Sequence, residues 1–193
     1  MITHIRGRLV EKSPTGVVID CNGVGYFIHI SLHTFSQITD DESIKLLTHL
    51  QVKEDAHQLY GFATAIERKI FRLLIAVSGI GTNTARTMLS SLTPQQVREG
   101  IASEDVALIQ SVKGIGLKTA QRVIIDLKDK VLKVFDMDEI PTLSNNTSKD
   151  EALSALEVLG FAKKQSERVV GKILTQTPDA SVEQLIKEAL KNL

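Results

Sequence analysis

In residues 1–62, apolar side chains recur at every second position or in short runs rich in β-branched and aromatic residues. That spacing predicts strands over Ile2–Glu11, Gly16–Cys21, Gly25–Ser31, Ile44–Val52 and Gln58–Phe62. Turn signals separate them at Ser13-Pro14, Asn22-Gly23, Asp40-Asp41 and Lys53 to Ala56, and a short helix fits Leu32–Ile38. Five short strands in this space suggest a small barrel of the OB type, with a small sandwich as the alternative.

From Ala63 the period lengthens. Ile66, Ile70, Phe71, Leu74 and Val77 fall on one helical face. Helices are predicted over 64–77, 83–91, 94–100, 104–110 and 118–133. Thr93-Pro94 reads as an N-cap and first helical residue, and Ser103 as a second cap. Residues 136–148 lose all periodicity and carry Pro, Ser, Asn and acids, which predicts a linker. Beyond it, Ser148-x-x-Glu151 and Ser181-x-x-Gln184 are capping boxes, and Gly160 is a C-cap. Three short helices over 149–193 make a bundle near the lower size limit for a core, better suited to docking a protein than to chemistry.

Charge changes at the same places. The chain has 193 residues, with 23 Lys plus Arg against 23 Asp plus Glu. That neutrality by itself speaks against nucleic acid as a partner. Its distribution reverses the inference. Residues 1–62 carry −2, residues 63–135 carry +5, residues 136–148 carry −3, and residues 149–193 carry zero. A basic block confined to one segment suggests modules with separate partners. The single cysteine, Cys21, excludes a disulfide scaffold and suggests a reducing, cytoplasmic setting; it is expected to be a small buried strand residue. The five histidines, His4, His29, His33, His49 and His57, show no metal-ligand spacing. No bilayer-spanning run or apolar leader is expected.

The basic block contains an internal repeat. Val77-Ser-Gly-Ile-Gly-Thr-Asn-Thr-Ala-Arg-Thr-Met-Leu89 aligns with Val112-Lys-Gly-Ile-Gly-Leu-Lys-Thr-Ala-Gln-Arg-Val-Ile124 at an offset of 35, with six of 13 positions identical. Each copy follows an apolar segment and opens a helix. Free N–H groups at a helix N-terminus suit a phosphate oxygen. Gly79, Gly81, Gly114 and Gly116 permit close backbone approach, and the intervening isoleucines can anchor each hairpin. Lys118 and Arg122 in the second copy, and Arg86 in the first, can add charge. Two such hairpins can hold phosphates without reading bases. Leu117 precedes Lys118, so Lys118-Thr119 does not complete a phosphate-binding loop of the Gly-x-x-x-x-Gly-Lys-Ser/Thr type, and no ATP site is expected on this chain.

The repeat resembles tandem helix-hairpin-helix motifs. The order of barrel, hairpins, linker and bundle resembles the RuvA family of bacterial Holliday-junction-binding proteins over essentially the whole length. Ile5-Arg-Gly-Arg-Leu9, Gly23-Val-Gly-Tyr26, Lys53-Glu-Asp-Ala-His-Gln-Leu-Tyr-Gly-Phe62, both hairpins and Ala152–Gly160 carry the likeness. The resemblance implies an α+β multi-domain chain: an OB-fold barrel (1–63), a tandem helix-hairpin-helix domain (64–135), a flexible linker (136–148) and a three-helix motor-docking domain (149–193). It implies a homotetramer, with one tetramer or two facing tetramers on a four-way junction. It further implies recruitment of the hexameric RuvB ATPase for branch migration in recombination and repair, and contact with the RuvC resolvase.

The resemblance also assigns residues. Glu54 and Asp55, bottom-up two acids in a turn, become a pin at the tetramer centre, where eight carboxylates disfavour a continuous duplex and admit an open junction. Lys53 beside them is a phosphate contact. Leu156, Leu159, Phe161 and Val169 match motor-contacting positions, although apolar residues at this spacing are also what a bundle core requires. Family members often carry lysine where Asn83 and Leu117 stand here, so side-chain charge at the hairpins is reduced. No cofactor or metal is implied.

Two rivals remain. A helix-hairpin-helix DNA glycosylase would use Lys118 as a nucleophile and an acid such as Asp136, but Asp136 falls in the expected linker. A general architectural or single-strand-binding protein would need stacking aromatics, and the barrel offers only Tyr26, Phe27, Phe35, Tyr60 and Phe62.

Overall fold

The computed structural model describes residues 1–39, 42–136, 148–177 and 180–193. The chain divides into two compact units, Met1–Ile140 and Pro141–Leu193.

In the first unit, β1 (His4–Ser13), β2 (Gly16–Cys21), β3 (Val24–Ile30), β4 (Ser43–Val52) and β5 (His57–Phe62) close a barrel in the order β1-β2-β3-β5-β4. Neighbours are antiparallel except β3 and β5, the pattern expected of an OB barrel. β1 serves two partners. Its first half pairs with β4 and its second with β2, and a register shift between Leu9 and Glu11 bends it between them. A Cβ at Gly7 would lie 2.1 Å from the Asp20 carbonyl oxygen, so glycine is what lets β2 approach there. Ile5, Val17, Ile19, Ile28, Ile30, Leu46 and Leu59 fill the interior. The short helix is present as α1 (Leu32–Gln37), capped by the Ser31 hydroxyl accepting from the Thr34 N–H. The expected turn at Asp40-Asp41 lies outside the described residues. Cys21 is half-buried rather than buried, and its Sγ donates to the Arg6 carbonyl at 3.2 Å.

Five helices follow: α2 (Ala65–Ile75), α3 (Thr82–Ser91), α4 (Pro94–Ala102), α5 (Val106–Gln110) and α6 (Leu117–Asp136). Thr93 caps α4 in a full capping box with Gln96. The expected cap at Ser103 is corrected: Ser103 closes α4, donating both its N–H and its hydroxyl to the Glu99 carbonyl. Glu104 then turns the chain at φ 57°, and the Asp105 carboxylate accepts from the Leu108 N–H to start α5. α6 also runs beyond its expected end, because no helix breaker interrupts Val131 to Phe135, and it includes Asp136.

Tyr60 and Phe62, at the end of β5, pack in the helical core rather than the barrel core. The Phe71 ring of α2 lies 5.2 Å from Tyr60, 4.9 Å from Phe62 and 5.6 Å from His49. The end of β5 therefore joins the barrel wall to a helical core that is separate from the barrel's own.

The second unit contains α7 (Ser148–Val158), α8 (Lys163–Gln176) and α9 (Val182–Asn192) around Ala152, Leu153, Leu156, Val170, Leu185 and Ala189. Ser181 and Gln184 form the expected capping box. Gly160 (φ 95°) ends α7 as expected, with the Phe161 N–H reaching back to the Leu156 carbonyl at 3.0 Å. Ser148 is already inside α7 rather than ahead of it. The linker expected from residue 136 falls, after Asp136, on residues 137–147, which lie outside the description. Among the described residues no helix is long and apolar enough to cross a membrane.

Candidate nucleic-acid interface

The two halves of the sequence repeat fold alike. In the first, the Ile80 N–H bonds the Val77 carbonyl at 3.0 Å; in the second, the Ile115 N–H bonds the Val112 carbonyl at 3.1 Å. Gly79 and Gly114 sit at φ 95° and 92°, a left-handed conformation that a side chain would strain. Ala85 and Ala120 make the first helical bonds back to Gly81 and Gly116, both at 2.9 Å. Ile80 and Ile115 are each buried, anchoring their hairpins as the repeat predicts.

Gly81 and Gly116 differ in kind from Gly79 and Gly114. Neither has a positive φ, and a Cβ at either would meet nothing within 4 Å. The fold does not require glycine there. Their bare backbone faces open space beside the start of a helix, and no side chain caps α3. Such N–H groups suit a phosphate.

The hairpins lie side by side. The Arg122 Nη1 donates to the Ser78 carbonyl at 3.3 Å, and a Cβ at Gly79 would stand 3.8 Å from Thr119. Lys118 and Arg122 are both exposed next to this pair. Arg86 is half-buried and directed elsewhere: its Nη1 donates to the Thr15 carbonyl at 3.2 Å and faces His29 Nδ1 at 3.2 Å. It fastens α3 to the barrel. Burial, and then the Arg86 charge, lower the His29 pKa from 6.5. Burial and Arg72 lower that of His49. Asn83 and Leu117, the two positions where lysine was expected of relatives, are exposed at the starts of α3 and α6.

Lys53, Glu54 and Asp55 form the tip of the β4–β5 hairpin, all exposed. The Lys53 N–H bonds the Ala56 carbonyl at 2.9 Å, and Val52 pairs with His57 beneath the turn. Two joints between barrel and helices escaped sequence reasoning. Thr82, at the start of α3, bonds Gln51 and Tyr60 of the β4–β5 pair. Glu67 of α2 is fully buried and accepts from Ser31 at 2.5 Å and Thr34 at 2.6 Å. Burial raises its pKa against those hydroxyls. The signal for Glu67 was present, since it lies three, four and seven positions before Ile70, Phe71 and Leu74 on the apolar face.

Comparison with known proteins bears on the whole chain. Residues 1–61 match the family model for the RuvA N terminal domain, residues 71–129 the SAM-like helix-hairpin-helix tandem, and residues 148–193 the RuvA C-terminal domain. A protein of Christiangramia forsetii named Holliday junction branch migration complex subunit RuvA is 65% identical over 193 residues, covering 100% of both chains. The chain belongs to the RuvA family. Family members of the same name in Flavobacterium psychrophilum and Bacteroides thetaiotaomicron are 63% and 49% identical, again over 100% of each chain.

Within the RuvA C-terminal unit, the four expected contact residues do not share one environment. Leu156 is fully buried in the bundle, the environment that the core alternative requires. Phe161 and Val169 are half-buried against the same core, and Leu159 is 57% exposed. Val158, which the sequence reading passed over, is 86% exposed beside Leu159. An apolar residue off the helical stripe was the available signal.

Proposed function

We propose that this chain binds four-way DNA junctions by their phosphate backbones, without reading base sequence, and acts as the non-catalytic subunit of a branch-migration complex. The observation that carries this reading is the pair of hairpins with matching φ values and hydrogen bonds, whose Gly81 and Gly116 open on free space. Backbone N–H groups there, with Lys118 and Arg122, grip phosphates and leave the bases unread. Lys53 adds a cation at the β4–β5 tip.

Glu54 and Asp55 supply shape selection. In this reading four copies gather with their acidic tips at a common centre, where the carboxylates repel a continuous duplex and tolerate the open crossover of a junction. The C-terminal unit, with Leu159 and its neighbour Val158 exposed and Phe161 and Val169 at its margin, recruits the ATP-driven RuvB motor. The name of the relatives, a branch migration complex subunit, supports this division of labour.

The test uses the full chain and oligonucleotides assembled as a four-way junction, a linear duplex and a single strand. Binding is expected to be tightest for the junction and indifferent to permuting arm sequences. Preference for single strands, or for one arm sequence, would overturn the reading. The glycosylase reading finds no support at Lys118, whose exposure denies it activation by burial. Borohydride treatment with abasic DNA is expected to trap no adduct. The stacking reading is no better placed, since Tyr60 and Phe62 are buried and Tyr26 and Phe35 half-buried, leaving Phe27 exposed.

A further inference from the structure

The acidic tip stands on a ribbon that the barrel does not fully hold. β4 pairs with β1 only from Ser43 to Leu47, and β5 pairs with β3 only from Leu59 to Gly61. Gln51, Val52, His57 and Gln58 pair solely with each other across the ribbon. A two-stranded ribbon of this kind twists and bends easily in water.

One side chain from the helical region braces it. The Thr82 hydroxyl donates to Gln51 Oε1 at 2.7 Å, and the Tyr60 hydroxyl donates to Thr82 Oγ1 at 2.9 Å. Gln58 Oε1 is 3.0 Å from the same phenol oxygen. Gln51 and Gln58 face each other across the ribbon, two residues below either end of the Lys53–Ala56 turn. Thr82 is 7% exposed and directly follows Gly81 of the first hairpin. The Thr82 hydroxyl has one proton, which Gln51 takes, and the one phenol proton of Tyr60 is shared between Thr82 Oγ1 and Gln58 Oε1, so the phenol holds both the brace and the ribbon. In the second copy of the repeat the matching residue is Leu117, 52% exposed. The repeat thus departs from itself at the position where its first copy meets the ribbon.

We propose that Thr82 is a positioning residue for substrate selection: it locks the ribbon bearing Glu54 and Asp55 to the first phosphate-binding hairpin. The carboxylates are then held at a set distance from the DNA backbone gripped at Gly79 and Gly81, and their repulsion is directed at the duplex instead of being averaged over a swinging tip. The proposal rests on the junction-binding reading above.

The experiment measures junction and duplex affinity of the full-length protein and three variants. Thr82→Val keeps shape and removes the hydroxyl, Tyr60→Phe removes only the phenol oxygen, and Thr82→Ser restores the donor. Thr82→Val and Tyr60→Phe are expected to bind duplex more tightly, by about threefold to tenfold for one lost hydrogen-bond link, lowering the junction-to-duplex ratio. Thr82→Ser is expected to return the ratio to that of the parent. Tighter duplex binding is an outcome that simple loss of structure does not produce. If Thr82→Val fails to fold, Tyr60→Phe decides the matter. Parallel weakening for both DNAs would overturn the proposal, as would an unchanged ratio. Glu54→Gln with Asp55→Asn separates the causes. A ratio lowered in that double variant but not in Thr82→Val or Tyr60→Phe refutes the brace alone; a ratio unchanged in the double variant refutes the acidic-tip reading as well.

Discussion

At the scale of single residues, the four hairpin glycines fall into two pairs with different reasons for being glycine. Gly114→Ala forces a side chain into a left-handed conformation and is expected to cost about 1 kcal/mol of stability, seen as a lower midpoint in urea unfolding. Gly116→Ala places a methyl in open space at ordinary φ. It is expected to leave that midpoint unchanged while weakening junction binding about tenfold, the loss of one charge-assisted hydrogen bond. Equal unfolding midpoints for the two variants would show that the distinction is wrong. Side-chain cations are expected to add the salt-dependent part of binding. With Arg86 turned to the barrel and no lysine at Asn83 or Leu117, the exposed cations at the second hairpin are Lys113, Lys118 and Arg122. Lys118→Ala is expected to flatten the plot of log affinity against log salt by about 0.9, one phosphate contact. The parent slope is expected to be shallower than that of a lysine-rich relative titrated in parallel.

At the scale of elements, the joints between barrel and helices decide how the molecule responds to acid. His29 and His49 both have depressed pKa values at this joint, so the unfolded chain, with histidine near 6.5, takes up protons before the folded one does. Stability is expected to fall as pH drops from 6.5 toward those lowered values. Glu67 works in the opposite sense. Its raised pKa gives stability that is present below 4.5 and is lost as pH rises through the folded value. Urea unfolding of the parent and of His29→Asn, compared between about pH 5 and about pH 8, separates the contributions; the variant is expected to lose less stability below 6.5. The strands, the described turns between them and the helices were legible because each is written in the local sequence. The capping roles of Thr93, Ser181 and Gly160 were legible for the same reason. Ser103 misled because a serine after a helix can close it as well as start the next one. The joints were hidden because Arg86 meets Thr15 across 71 positions and Thr82 meets Gln51 across 31, and no local pattern records such pairings.

At the scale of the whole molecule, the neutral sum of charges conceals a division of tasks. The first unit holds both hairpins and the acidic tip, and the second has its own core. Removing residues 149–193 is expected to leave junction affinity within about twofold and to abolish stimulation of the motor ATPase; a loss of junction binding would contradict the modular reading. The resemblance read from the sequence extended correctly to the family, but it could not separate Leu156, buried in the bundle, from Leu159 on its surface.

The bond between Arg122 and Ser78 has a mechanical consequence. It ties the second hairpin to the first, while Arg86 and Thr82 tie the first to the barrel. These polar links stand in series. If the second hairpin grips DNA as proposed, a pull on it is expected to reach the barrel along this line through the first. In the junction-binding reading the two hairpins then yield or resist together.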